Sequence, residues 1–221
     1  MASSNKRQRS EFDDEKFFEI VDGERVQMPV MSVLACRTTG KVLHAVETFA
    51  QEHEIGLTLL HSLFLLPLPD DPTRARRPDV ALLTYTRWPR TRPLPHAEGV
   101  PGVLPDLAVE VASPSETPVY VWRKLTDYIR GGVKEVWIVY PPSKVIHVFD
   151  SLKVPKSLTA ADRFEGSKVL PGFHVPVSLL FPPKRHLARR PRPCTITRLT
   201  LRSITHRQMQ GYRTWSNAAR S

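Results

Sequence analysis

Asp79, Glu110 and Lys124 are the residues whose types and positions could do chemistry together. Residues 107–112 read as a strand, in which side chains alternate between two faces. Leu107, Val109 and Val111 then enter a core, while Asp106, Ala108, Glu110 and Ala112 share the opposite face. Glu110 therefore stands between two alanines, whose small side chains leave room for a metal ion and a phosphate. A carboxylate in a central strand has to neutralise or meet a cation. Asp79, in Arg77-Pro78-Asp79-Val80, opens another strand and supplies a second carboxylate. Two converging carboxylates are the hard oxygen ligands that Mg²⁺ prefers, with Mn²⁺ as its substitute and with water and phosphate completing the shell. Such a metal polarises a phosphodiester and activates a water. Lys124, on the helix after Ser113-Pro114-Ser115, can reach back to hold the scissile phosphate and offset the charge that develops on it.

These residues need a frame. Residues 17–26 (FFEIVDGERV) predict a strand or helix end, a turn at Asp22-Gly23 and a second short strand. Val42, Leu43, Val46, Phe49 and Ala50 recur at helical spacing within residues 38–53, and Gly56 ends the pattern. Residues 57–68 and 79–84 read as strands separated by a turn over 69–78, and the Pro- and Arg-rich stretch 87–102 reads as a mobile loop. A helix over 119–130 is closed by Gly131-Gly132, with Trp122, Leu125 and Ile129 as its buried stripe and Lys124 and Tyr128 on another face. Residues 135–140 and 145–149 form a hairpin across 141–144. Helix, strands, helix, strands is an α/β order.

Each candidate has a plainer reading. Taken singly, Asp79 is a cap after Pro78, Glu110 a strand carboxylate paired with an arginine, Lys124 a solvated helix lysine and Tyr128 a packing residue. Only the ordered set favours metal binding by Asp79 and Glu110. Ser113, three residues before Glu116, reads as a capping box rather than a nucleophile. His44, His53, His61, His147 and His174 lack paired spacing, which argues against zinc, and no histidine is placed as the base of a triad.

At 221 residues the chain suits one domain with a proper core. Its net charge of +10 resides in residues 182–221, which hold ten Lys and Arg and no Asp or Glu, so the remainder is formally neutral. That segment has no period of 2 or 3.6 and is expected to be disordered, like the polar lead-in. Two readings of it stay open: a set of phosphate contacts that adds salt-sensitive affinity for DNA, or an extension without a role. Cys36 and Cys194 form no zinc-like cluster, which fits a reduced, cytoplasmic setting. There is no apolar leader, and residues 57–68 are too short to span a bilayer, so no membrane is expected.

The segments PDLAVEVASPS, RKLTDYIRGGVKEVWIVYP and FEGSKVLPGFHVPVSLLF, with RPDV and the opening FEIVDGERV, resemble the "putative restriction endonuclease" family of the PD-(D/E)xK superfamily. The resemblance runs from about Phe17 to Phe181. It implies a restriction endonuclease-like core, a central mixed β-sheet flanked by α-helices, with residues 1–16 as lead-in and 182–221 as a basic tail. It also implies Asp79 and Glu110 as metal ligands and Lys124 as the catalytic lysine moved onto the helix, because Ala112 stands where the parent motif carries lysine. Glu19, in the opening motif, is a possible extra ligand, and Tyr128 a possible accessory. Two departures stand out: Tyr140 replaces a common Asp, and the usual histidine of the first long helix has no match around residues 35–39. The implied activity is Mg²⁺-dependent hydrolysis of DNA, for which a homodimer would be convenient when both strands are cut. The alternative is a non-cleaving DNA-binding or protein-interaction module on the same fold.

Overall fold

The computed structural model describes residues 17–97 and 99–183. The expected disorder of residues 1–16 and of 184–221 lies outside the described residues. The fold is the expected α/β type, built on a six-stranded mixed sheet. In chain order the elements begin with β1 (Phe18–Val21), β2 (Glu24–Gln27), α1 (Val33–Glu52), β3 (Gly56–Leu60), β4 (Leu63–Leu65), β5 (Ala75–Arg76), β6 (Val80–Thr84) and β7 (Gly99–Val100). They continue with β8 (Leu107–Val111), α2 (Pro118–Gly131), β9 (Glu135–Tyr140), β10 (Val145–Phe149), β11 (Lys156–Thr159), β12 (Arg163–Glu165) and β13 (His174–Pro176). The large sheet runs β11-β10-β9-β8-β6-β3. Its β8 and β9 are parallel, and its other pairs are antiparallel.

The two faces of this sheet follow from alternation along the strands. Leu107, Val109 and Val111 of β8 pack with Val80, Leu82 and Val139 against Ala35, Val42, Val46 and Ala50 of α1. Ala108 of β8, with Val136 and Ile138 of β9, packs against Val121, Leu125 and Tyr128 of α2. Every residue of β8 is buried, as befits a central strand covered by a helix on each side. Two glycines are required by geometry. A Cβ on Gly56 would lie 2.1 Å from the Leu83 carbonyl oxygen, so only glycine lets β3 pair with β6 there. Gly132, at φ 98°, closes α2 in the left-handed conformation, as its sequence predicts.

A second sheet, β2-β1-β5-β4-β7, is where the sequence expectations need correction. The single strand expected over 57–68 is divided at His61, whose φ of 47° turns the chain from β3 in one sheet to β4 in the other. The expected turn over 69–78 contains β5, which joins β1 to β4 and buries Arg76. The segment 87–102 carries β7, and Trp88 anchors it in a cluster with Phe64, Ala81, Leu83 and Val100. The first helix starts at Val33 rather than near residue 38, because Ser32 caps it by accepting from the Ala35 amide at 3.2 Å. Among the described residues no helix is long and apolar enough to cross a membrane.

Candidate functional site

Glu110, Lys124 and Tyr128 meet inside the α2 face of the sheet. Glu110 projects from β8 toward the helix, as alternation predicts. Lys124 donates to its Oε2 at 2.5 Å and the Tyr128 hydroxyl donates to its Oε1 at 2.6 Å. The four-residue spacing that puts Lys124 and Tyr128 on one helical face is what lets them grip one carboxylate from both sides. Of the expected buried stripe, Leu125 and Ile129 pack against the sheet and Trp122 does not. Trp122 is 51% exposed, whereas Val121, Lys124, Leu125 and Tyr128 face inward. The lysine is buried because Glu110 opposite offers a charge partner, and an unpaired ammonium could not stay there.

Asp79 immediately precedes β6, the neighbour of β8. Its Oδ2 accepts the Val111 amide at 2.6 Å, which ties it to the end of the strand carrying Glu110. Its Oδ1 lies 3.6 Å from the His61 Nδ1. Burial pushes the Asp79 carboxyl up to about 6, against the pull of Lys124 and the Val111 amide, with Glu116 and Glu19 adding to the rise. Burial likewise pushes Glu110 up, reinforced by Asp79 and Glu19 and opposed by Lys124. Burial acts the other way on Lys124, but Glu110, Glu19 and Asp79 together hold it protonated above its ordinary range. His61 is held below its ordinary value by burial, then by Arg77 and Lys124.

Glu19, expected as an accessory, belongs to the same group and is completely buried on β1. Its Oε1 accepts the Arg77 amide at 3.1 Å and lies 3.4 Å from the Lys124 Nζ. Its Oε2 accepts from Arg76 Nη1 at 2.7 Å and from the Tyr120 hydroxyl at 2.9 Å. Despite burial, Lys124, Arg76 and the Arg77 amide hold its carboxyl below the usual range. Arg76 also donates through Nε and Nη2 to Asp127 Oδ2, at 2.8 and 2.6 Å. One guanidinium therefore binds the second sheet to α2 and fixes the helix that presents Lys124.

Sequence reasoning missed Arg76, Asp127, Tyr120 and His61. Tyr120 had a signal, since it stands four residues before Lys124 as Tyr128 stands four after. Arg76 had none, because its carboxylate partners are 57 and 51 residues away. The proposed capping box is half right. Glu116 accepts the Ser113 amide at 2.8 Å, but the residue that caps α2 is Thr117, which accepts from the Tyr120 amide at 3.2 Å before Pro118.

The donor set suits a hard divalent cation. Asp79 and Glu110 are buried oxygen donors whose pKa values are raised chiefly by burial, with neighbouring carboxylates adding to the rise, and a cation would lower that cost. Among the described residues no group of three or more His, Cys, Asp or Glu is placed to hold a metal ion by itself. A cavity of about 310 Å³ opens onto this group, and Asp79, Lys124, His61 and Glu116 are among its lining residues.

Residues 6–178 match the Uma2 family model, described as "Putative restriction endonuclease". No curated protein matches the chain. Among solved structures, the crystal structure of "a putative nuclease belonging to DUF820" from Anabaena variabilis ATCC 29413 is similar, with a TM-score of 0.63 and 16% sequence identity. The alignment covers 74% of this chain and 89% of that one. At that identity the likeness establishes the fold.

Proposed function

The chain belongs to the Uma2 family of putative restriction endonucleases, and on that premise we propose that it is a divalent-metal-dependent nuclease of the PD-(D/E)xK type that hydrolyses phosphodiester bonds in DNA. The observation that carries this reading is the convergence of Asp79, Glu110 and Lys124, from the start of β6, from β8 and from α2, with Asp79 and Lys124 lining one cavity and Glu110 paired to Lys124 behind it. In it, Asp79 and Glu110 hold Mg²⁺ or Mn²⁺, with Glu19 behind them as part of the negative field. When bound, the metal supplies Lewis-acid polarisation of the phosphoryl group and a water of lowered pKa.

The remaining work falls to the protein's own residues. Lys124 stays protonated, so it acts as a fixed positive charge that binds phosphate and offsets charge in the transition state rather than as a base. Tyr128 orients Glu110 through its hydroxyl, and the Val111 amide orients Asp79. Arg76 sets the position of α2 through Asp127 and that of β1 through Glu19.

The test is plasmid nicking at low salt by the full chain, with Mg²⁺, with Mn²⁺ and with EDTA, alongside Asp79→Ala and Glu110→Ala. Metal-dependent nicking lost in both variants supports the reading, and nicking that survives EDTA or both substitutions sinks it. One observation favours the second reading, a non-cleaving DNA-binding module: both oxygens of Glu110 already have protein partners. Metal-independent DNA binding without any product would select it.

A further inference from the structure

The cavity beside the candidate site is chemically two-sided. Asp79, Glu116 and Lys124 line it with charge, whereas Phe17, Met28, Val30 and Met31 line it with apolar surface. Phe17 remains 52% exposed although its ring stacks on His61, with 5.2 Å between centroids and 25° between planes. The Arg77 guanidinium lies 5.1 Å from the Phe17 centroid. Val30 is 85% exposed. Apolar side chains left open next to a buried lysine and carboxylate call for a ligand that is anionic at one end and flat and apolar at the other.

A nucleotide has that form once its base leaves the stack. In an intact duplex the base faces are covered, and beside a phosphate the protein would meet sugar and further phosphate, which an apolar wall desolvates without giving a partner in return. An unstacked base presents a π face, and aromatic side chains hold such faces without regard to sequence. The volume of about 310 Å³ suits one small ligand group.

Resting on the nuclease reading above, we propose that this cavity receives one unstacked nucleobase next to the phosphate held at Lys124, so that the substrate is single-stranded or locally opened DNA rather than intact duplex. Phe17 is then a binding residue that stacks on the base, and Met28 to Met31 form the wall that keeps water from it.

The test uses the full chain and an oligonucleotide carrying one 2-aminopurine, presented single-stranded or fully paired, in Ca²⁺ and in EDTA at one salt concentration. Fluorescence and anisotropy report stacking and binding without cleavage. We expect the single strand to bind at least about tenfold tighter than the duplex, with a fluorescence change that marks the base leaving its neighbours. Phe17→Ala is expected to lose about tenfold on the single strand and nothing on the duplex, and Phe17→Trp to restore the loss. Val30→Asp, at an open position, is a second variant expected to weaken the single strand selectively. Equal affinity for both forms, or equal weakening of both by Phe17→Ala, overturns the proposal. Adding Mg²⁺ separates it from its premise: duplex cut as fast as single strand removes the base pocket and leaves the nuclease, whereas base-dependent binding without any product leaves the pocket and removes the nuclease.

Discussion

On one face of β8, Leu107, Val109 and Val111 lie among apolar side chains beneath α1; on the other, Glu110 of the same strand lies among Lys124, Tyr128 and Asp79 beneath α2. The strand is equally buried toward both. The α1 face is held by transfer of apolar surface from water, roughly 1.5 to 3 kcal/mol for each large side chain fully buried. The α2 face adds charges whose desolvation is only partly repaid by their mutual attraction. The difference teaches that the α1 face only maintains the fold, while the α2 face, which has an apolar core of its own, also keeps charged groups in a state that folding alone would not choose.

Damage to the apolar face should produce the largest loss of stability. Phe164→Ala, at a fully buried ring packed 4.5 Å from Trp137, is expected to cost ~3 to 5 kcal/mol in urea denaturation while leaving the cleavage rate per folded molecule unchanged. A large drop in that rate would mean that the faces are not separable. Arg76→Ala removes the buried guanidinium that Glu19 and Asp127 share, leaving Glu19 to Lys124, Tyr120 and the Arg77 amide and Asp127 to Arg74, and is expected to destabilise by a comparable ~3 to 5 kcal/mol. Unlike Phe164→Ala, it should also reduce cleavage per folded molecule, because α2 and Glu19 lose their common anchor.

The sharpest separation comes from replacing the central pair together. Glu110→Gln with Lys124→Met should keep stability within ~1 kcal/mol of the parent or raise it, since a buried ion pair gives little net stabilisation over groups of similar size. Cleavage should nevertheless fall by about 100-fold or more. Strong destabilisation of the double variant would show that the pair maintains the fold.

A smaller effect tests Asp79 by pH. Its carboxyl, raised to about 6 from 3.8, keeps a proton in the folded state that the unfolded chain has already released. In EDTA, stability should therefore fall as pH rises through that window. Asp79→Asn should flatten the slope and gain roughly 1 to 3 kcal/mol at pH 7, so an unchanged slope between pH 4 and 6 would assign the burden to another group. Trp122→Ala gives the smallest effect, within ~1 kcal/mol, because that ring is half exposed at the outer edge of α2, where it meets Phe149.

How far the sequence reaches can be judged from particular residues. Period-2 alternation placed Glu110 opposite Leu107, Val109 and Val111 and turned it toward α2, and Gly131-Gly132 ended α2 where φ turns positive. The hairpin of β9 and β10 was equally legible. These features depend on neighbours a few positions away, so local geometry and side-chain type determine them. Trp122 was misplaced because apolar periodicity assigns a large ring to the core, and nothing local reveals that a lysine has a buried carboxylate to meet. The division at His61 and the burial of Arg76 depended on which strands lie side by side, and Glu19 reaches Tyr120 across 101 positions of sequence. The sequence by itself determined the two helices, the strands β6 and β8, the hairpin of β9 and β10, and the carboxylate that β8 turns toward α2. Tertiary structure decided which charges are paired and which remain in excess, because pairing is set by proximity after folding and its cost by burial that no short stretch of sequence contains.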